Sequence, residues 1–313
     1  MAMAGTDAEN ALDSIVRNVR VNCDGISNDL TSLKKMAGIG TIVNAAGTLA
    51  GAGGVASGVA KMNADSNTEE LLVLEQSTKN QAALANFKKA IPNIDWNAVE
   101  THLNQLTEED KNPDNIKKQI NASQEKSDKY GNIRTGLFAT NTATSVAGAV
   151  VSSKAKVDES LEERIKACTQ SLSGLNDAIT RVRVEDGVNA NTEKLTKSKN
   201  IWDKCGQYKN VNTDSLNKLA KAAMVSGVVG GATGTAATIT SVSGTKNKMS
   251  DVDLNSADAA NDINKIENIN VASNVLGGVT AVSSLTGTIL NAAQKKRIQE
   301  VVTIAENCEE ALQ

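Results

Sequence analysis

Residues 36–62, MAGIGTIVNAAGTLAGAGGVASGVAKM, set the tightest limit on what this chain can fold into. The stretch is made almost entirely of Gly, Ala, Val, Ile, Ser and Thr. It holds no acid, no aromatic and no proline, and its only charge is Lys61. Related stretches recur at about 136–153, 222–244 and 271–293. Such segments carry little side chain. They suit long helices whose contact faces let neighbouring backbones come close.

The spacing supports helices. Leu12, Val16, Val19, Cys23, Ile26, Leu30 and Leu33 alternate by four and three, the period of a heptad seam. The same count carried forward falls on Ala37, Gly40, Asn44, Gly47, Gly51, Gly54 and Gly58. The seam changes from branched aliphatics to glycine without losing its period. Each glycine costs a helix about 1 kcal/mol relative to alanine, so a whole face of them makes sense where another backbone must approach. A flexible glycine-rich loop has no reason to keep the count. In the second half Leu216, Ala220, Ala223, Gly227, Gly230, Gly234, Ala237, Ser241 and Gly244 repeat the alternation and the drift to glycine.

This pattern divides the chain. Residues 1–62 are expected to form the first long helix of a hairpin. Residues 63–128 hold both prolines, Pro92 and Pro113, together with Phe87, Trp96 and the single histidine, His102. Their apolar positions (Leu71, Leu72, Leu74, Leu84, Phe87, Ile91, Val99, Leu103 and Leu106) suggest a small insert of three or four short helices. Residues 129–182 are expected to return as one long helix, with Leu161, Ile165, Cys168, Leu172, Leu175, Ile179 and Val182 on its seam. Residues 183–200 read as a polar linker. Residues 201–313 form a second hairpin, whose return helix carries Val275, Gly278, Val282, Leu285 and Ile289 on one face and continues through Ile298, Val301 and Ile304 to Cys308 and Leu312. Aromatics make up only 2% of the chain, so burial must come from many small aliphatic contacts rather than from large rings. The expected fold is all-α: an elongated antiparallel four-helix bundle of two duplicated long hairpins with Gly/Ala-rich apolar halves, plus the small helical insert.

Short matches support duplication. Thr31-Ser-Leu-Lys-Lys-Met-Ala resembles Asp214-Ser-Leu-Asn-Lys-Leu-Ala, and Lys129-Tyr-Gly-Asn-Ile resembles Lys265-Ile-Glu-Asn-Ile. The four cysteines keep the same order around these matches. In antiparallel hairpins Cys23 and Cys168 share one end, as do Cys205 and Cys308, which predicts disulfides Cys23–Cys168 and Cys205–Cys308. Of the three connectivities four cysteines allow, the main rival is Cys23–Cys308 with Cys168–Cys205. Disulfides imply an oxidising compartment, periplasmic or extracellular. Four free, buried cysteines in a cytosolic bundle are the other reading. The N-terminal MAMAGTDAEN lacks the charged and apolar regions of a signal peptide. Either a signal has been removed, or export takes another route, or there is none.

Much chemistry has no support. One histidine disfavours His-based metal sites and nucleophilic triads, and the cysteine spacings match no zinc pattern. GxxxxGK[ST] does not occur, and Gly51-Ala-Gly53 lacks the third glycine of a dinucleotide fingerprint. The pairs Glu109-Asp110, Glu162-Glu163 and Glu309-Glu310 read as solvated helix faces. A net charge of −3 argues against nucleic acid. No enzyme, cofactor, metal site or small-molecule substrate is expected.

Membrane lipid and copies of the chain itself remain as partners. The apolar stretches are long enough to cross a bilayer. Gly47-xxx-Gly51, Gly54-xxx-Gly58, Gly227-xxx-Gly231 and Gly230-xxx-Gly234 have the small-xxx-small spacing of membrane helix contacts. Their Ser, Thr and Asn content, including Asn44, Asn141 and Asn274, makes them poor single spans. The favoured expectation is a secreted or periplasmic, homo-oligomeric, non-enzymatic protein that engages or inserts into a membrane, or packs into a membrane-associated assembly. In character, though in no motif, its hairpins resemble helical pore-formers and secretion-system translocators. The alternative is a soluble structural or scaffold rod whose seams serve helix packing or self-assembly. In either case the working residues are the seam glycines Gly40, Gly47, Gly51, Gly54, Gly58, Gly227, Gly230 and Gly234.

Overall fold

The computed structural model describes residues 6–79, 88, 96–105, 107 and 112–313. Among them the chain is helical and forms no strand. The helices are α1 (Asp7–Cys23), α2 (Ile26–Lys79), α3 (Trp96–Gln105), α4 (Pro113–Lys154), α5 (Glu159–Ser173), α6 (Leu175–Glu185), α7 (Thr192–Cys205), α8 (Thr213–Lys246) and α9 (Ala259–Leu312). Leu84, Phe87, Ile91, Pro92, Leu106 and the pair Glu109-Asp110 lie outside the described residues, as does the side chain of His102.

Local chemistry explains the ends. Thr6 accepts a hydrogen bond from the Glu9 amide at 3.2 Å and opens α1, with Asp7 and Glu9 in its first turn. Asp24-Gly25 then interrupts what the heptad count read as one helix, because Gly25 takes φ +75, a conformation glycine adopts without strain. Arg164 from α5 secures this corner. It donates to the Asp24 carbonyl at 2.7 Å and pairs with Asp29. The seam itself survives the corner: Leu12, Val19, Cys23, Ile26 and Leu30 are all buried.

Three expected segments differ. Residues 63–79 continue α2 rather than starting an insert of short helices, since no proline or glycine stands there to stop it. Residues 113–128 open α4, with Pro113 at the first helical position and Asn112 accepting from the Asp114 amide at 2.9 Å. The return helix expected over 129–182 is three helices. Asp158 caps a new start by accepting from the Leu161 amide at 2.8 Å, and Gly174 separates α5 from α6. Within 183–200 the chain is helical to Glu185 and again from Thr192, where Asn191 caps α7.

The chain folds into two compact units. The first combines Met1–Val43, Ala147–Val225 and Thr286–Gln313; the second combines Asn44–Val146 and Ser226–Leu285. In the first, α1 packs on α5 and α6, and α6 on α7. Its core is conventional: Leu12, Val19, Ile26, Leu30, Leu161, Ile165, Leu172, Leu175, Val182, Ile201, Ile298 and Val302 are buried together. Each such side chain stabilises the fold by roughly 1.5–3 kcal/mol. Both disulfides lie here, Cys23–Cys168 and Cys205–Cys308, in the pairing that antiparallel hairpins predict. They join residues 145 and 103 apart in sequence, so in the chain-entropy picture each removes about 4–5 kcal/mol of unfolded-state freedom. Glu309, read as a solvated acid, accepts instead from the Ser27 amide at 3.1 Å and the Ser27 hydroxyl at 2.6 Å, capping the start of α2. Glu162 and Glu163 are exposed.

The second unit has an apolar cluster of its own in Leu72, Val73, Ile116, Ile120, Met249, Ile263 and Ile266, with Trp96 packed against it. Away from that cluster its interior is of another kind.

Candidate functional site

Four helices line the interior of the second unit, and what they turn inward is small or polar. From α2 come Asn44, Gly47, Gly51, Gly54 and Gly58; from α4, Arg134, Phe138, Asn141 and Ser145; from α8, Gly230, Gly234, Ala237 and Ser241; from α9, Asn270, Ser273, Thr280 and Ser284. Phe138 is the one large apolar side chain in that set. The inward face of α8 is the one its periodicity predicts, and Gly227 is buried with the rest.

The glycines make room for particular neighbours. A Cβ on Gly51 would overlap the Asn141 side chain and stand 3.0 Å from the Ala281 Cα. On Gly47 it would meet the Thr144 hydroxyl at 2.6 Å and the Ser284 hydroxyl at 3.0 Å. Gly54 lies against the Phe138 ring and Gly58 against the Asn274 amide. A Cβ on Gly230 would stand 2.9 Å from the Ser145 hydroxyl, and one on Gly234 2.6 Å from that of Thr142. In the first unit, a Cβ on Gly40 would stand 3.0 Å from the Asn291 side chain. Across these close approaches run side-chain hydrogen bonds. The Ser284 hydroxyl donates to Asn141 Oδ1 at 2.9 Å, Ser284 and Ser145 hydroxyls lie 3.0 Å apart, and the Ser226 hydroxyl donates to the Ser283 carbonyl at 2.5 Å.

On α9 the apolar stripe is turned the other way. Val275, Val282, Leu285 and Ile289 share a face, as the periodicity has it, but that face is exposed; Ser273, Gly277, Thr280 and Ser284 point inward. The other helices of the second unit agree. Leu49 and Val59 on α2, Val146 on α4, and Val228, Val229 and Ile239 on α8 are exposed, Leu49 by 76%. Among the described residues three helical stretches, those containing α2, α8 and α9, are long and apolar enough to cross a membrane, yet only 28–33% of each apolar stretch is buried. Residues 36–60, 135–153, 222–245 and 268–294 carry no charge at all. At 1.5 Å per residue the shortest covers roughly 28 Å, close to the thickness of a hydrocarbon core.

Where the charges begin, some are buried. Lys61 and Arg134 are almost wholly enclosed. Asp65 pairs with Lys61 at 2.5 Å and accepts from Asn270 at 2.8 Å and from the Ser127 hydroxyl. Arg134 donates through Nε to Ser241 at 2.9 Å and through Nη2 to Asn270 at 3.1 Å, while its Nη1 has no hydrogen-bond partner among the described residues. One carboxylate therefore sits among two buried cations; its own bonds reach α2, α4 and α9, and Arg134 extends the network to α8 through Ser241. Sequence reading stopped the seam at Gly58. Continuing its count by three and four reaches Lys61 and Asp65, so the register held the signal and the charges concealed it.

Further along α2, Glu69 is buried near Glu267 and Glu70, and burial, with those two carboxylates, raises its pKa to about 7. A carboxyl raised in this way favours the folded state when protonated. Its contribution is full below the unfolded value near 4.5 and is lost as the pH rises through 7. Glu69→Gln, which imitates the protonated form, is expected to stabilise the protein by about 1–3 kcal/mol at pH 8 and hardly at all at pH 4. Thermal melts at the two pH values check this, and an equal gain at both contradicts it.

Among the described residues no three His, Cys, Asp or Glu side chains gather as a metal site. No family model, curated protein or solved structure matches the chain.

Proposed function

We propose that this is a non-enzymatic helical protein of an oxidising compartment, secreted or periplasmic, that engages or inserts into a membrane through the outer faces of its charge-free helices. The observation that carries this reading is the inverted burial of the charge-free stretches of the second unit: Asn, Ser, Thr and Gly inward, Val, Ile and Leu outward. In water the dominant gain of folding is removal of apolar surface, and soluble monomers seldom expose broad apolar patches. In lipid the balance reverses. Contacts between helices then rely on close backbone approach through small residues and on hydrogen bonds between polar side chains, with aliphatic side chains facing the acyl chains. The disulfides of the first unit support the compartment.

A second reading covers the same outer faces with copies of the chain instead of lipid. Inward glycines serve a tight soluble bundle as well as a membrane one. Vesicle flotation of the non-reduced protein, with dye release followed in the same tubes, separates the two. Wild-type protein is expected to float, and Leu49→Lys with Val275→Lys to remain at the bottom with an unchanged melt, since both positions are exposed. Flotation with leakage marks insertion, and flotation without leakage marks a lipid-bound scaffold. Wild-type protein that never floats but sediments as an oligomer, dispersed by the same lysines, decides for self-assembly.

A further inference from the structure

The charge-free helices end differently at their two ends, and the first unit holds the more one-sided of the two. Lys34 and Lys35 precede the segment on α2. Lys154 and Lys156 follow that on α4, Lys218 and Lys221 precede that on α8, and Lys295, Lys296 and Arg297 follow that on α9. All nine belong to the first unit. All are exposed except Lys34, which is half-buried. The opposite ends of the same segments are mixed and lean acidic, with Asp65, Glu69, Glu70, Asp128, Asp262 and Glu267 among the cations there.

Contacts within the first unit bring the basic ends side by side. Lys295 lies 3.7 Å from the Cβ position of Gly38, joining α9 to α2. Gln294 donates to the Ala155 carbonyl at 2.7 Å, the Val157 amide donates to Asn217 at 2.8 Å, and Arg297 donates to the Ser215 hydroxyl at 2.5 Å. Lys156, Lys218 and Lys221 line one groove of about 530 Å³ with the hydroxyls of Ser152 and Ser153 and a single acid, Asp214. Among the described residues none of the eight lysines has a carboxylate within ion-pair distance. In a globular surface such cations are usually interspersed with acids. Here the charges nearest each apolar segment are basic, and the acids Asp29, Asp158, Glu159, Asp214 and Glu300 stand further out.

We propose that these basic residues bind the phosphates of anionic lipid headgroups. The inference rests on the membrane reading and adds to it a lipid class. Aliphatic faces meet the acyl chains and lysines beyond them meet the headgroup layer, where each basic residue near an anionic surface contributes about 1 kcal/mol. A hydroxyl-lined groove with three lysines can hold a phosphate by charge and by hydrogen bonds together.

The test compares wild type with Lys156→Gln, Lys218→Gln and Lys221→Gln combined, on vesicles of phosphatidylcholine alone and of phosphatidylcholine with a third phosphatidylglycerol. Wild type is expected to partition more strongly to the anionic vesicles. The triple variant is expected to lose about 100-fold of that partitioning at low salt, with no change on phosphatidylcholine, and high salt should erase the difference. A second variant, Lys295→Gln with Lys296→Gln, should behave in the same direction. Equal partitioning of all three proteins to anionic vesicles overturns the proposal. Failure of wild type on both vesicle types instead overturns the membrane reading. If millimolar inorganic phosphate abolishes the preference for phosphatidylglycerol, the groove is a free-anion site and the lipid assignment is wrong.

Discussion

Gly51→Leu is expected to unfold the seam of the second unit. The added side chain has no place to go: its Cβ alone would overlap the Asn141 side chain and press on the Ala281 backbone, with the Cα 3.0 Å away. Asn141 cannot simply swing aside, because its Oδ1 accepts from the Ser284 hydroxyl in a site closed to water. Three further heavy atoms would force α2 and α9 apart and break hydrogen bonds between buried polar groups, each costing about 1–3 kcal/mol when left unmade. The expected loss is at least about 4 kcal/mol, read as the denaturant midpoint of the non-reduced protein. Gly136→Leu is the control, since nothing lies within 4 Å of its Cβ position. Equal midpoints for the two variants would remove the argument that the glycines exist for close approach.

Asp65→Asn is expected to cost nearly as much by a different route. It removes the one carboxylate bonded into the buried network while Lys61 and Arg134 stay enclosed. Breaking a buried pair from one side typically costs 3–5 kcal/mol, because the stranded charge has lost both water and its partner. Lys61→Met in the same chain removes one of the two stranded cations and should recover roughly half of the loss. A midpoint change under about 1 kcal/mol for Asp65→Asn, or no recovery in the double variant, would show that the network is hydrated and contributes little.

The parts of this structure that were legible in the sequence are those fixed by periodicity. The alternation by four and three runs from Leu12 to Gly58 and from Leu216 to Gly244, and every seam position from Ala37 to Gly58 is buried. The cysteine pairing followed from placing residues at the ends of antiparallel helices. What periodicity cannot supply is its own phase. On α9 two stripes are available, Val275, Val282 and Leu285 against Ser273, Thr280 and Ser284; the sequence gathers the apolar residues on one face without saying which way that face turns, and the structure exposes it. Lys61 lies three residues beyond Gly58 in the same register, and its charge kept it out of the seam. The breaks at Gly25 and at residues 155–158 were missed for a local reason: one positive-φ glycine and one Asp158 cap interrupt the helix without interrupting the apolar pattern.

Depth in a bilayer separates an outward belt that meets lipid from one that does not. A fluorophore attached at Val275→Cys, with both disulfides intact, would be compared with one at Val188→Cys, fully exposed in the first unit, on anionic vesicles. If the belt is the membrane-facing surface, the label at 275 is quenched by lipids brominated deep in their acyl chains and shielded from aqueous iodide, while the label at 188 shows the reverse. Equal quenching of both labels by iodide, with none by the brominated lipids, contradicts the membrane reading and leaves the belt to be covered by copies of the chain.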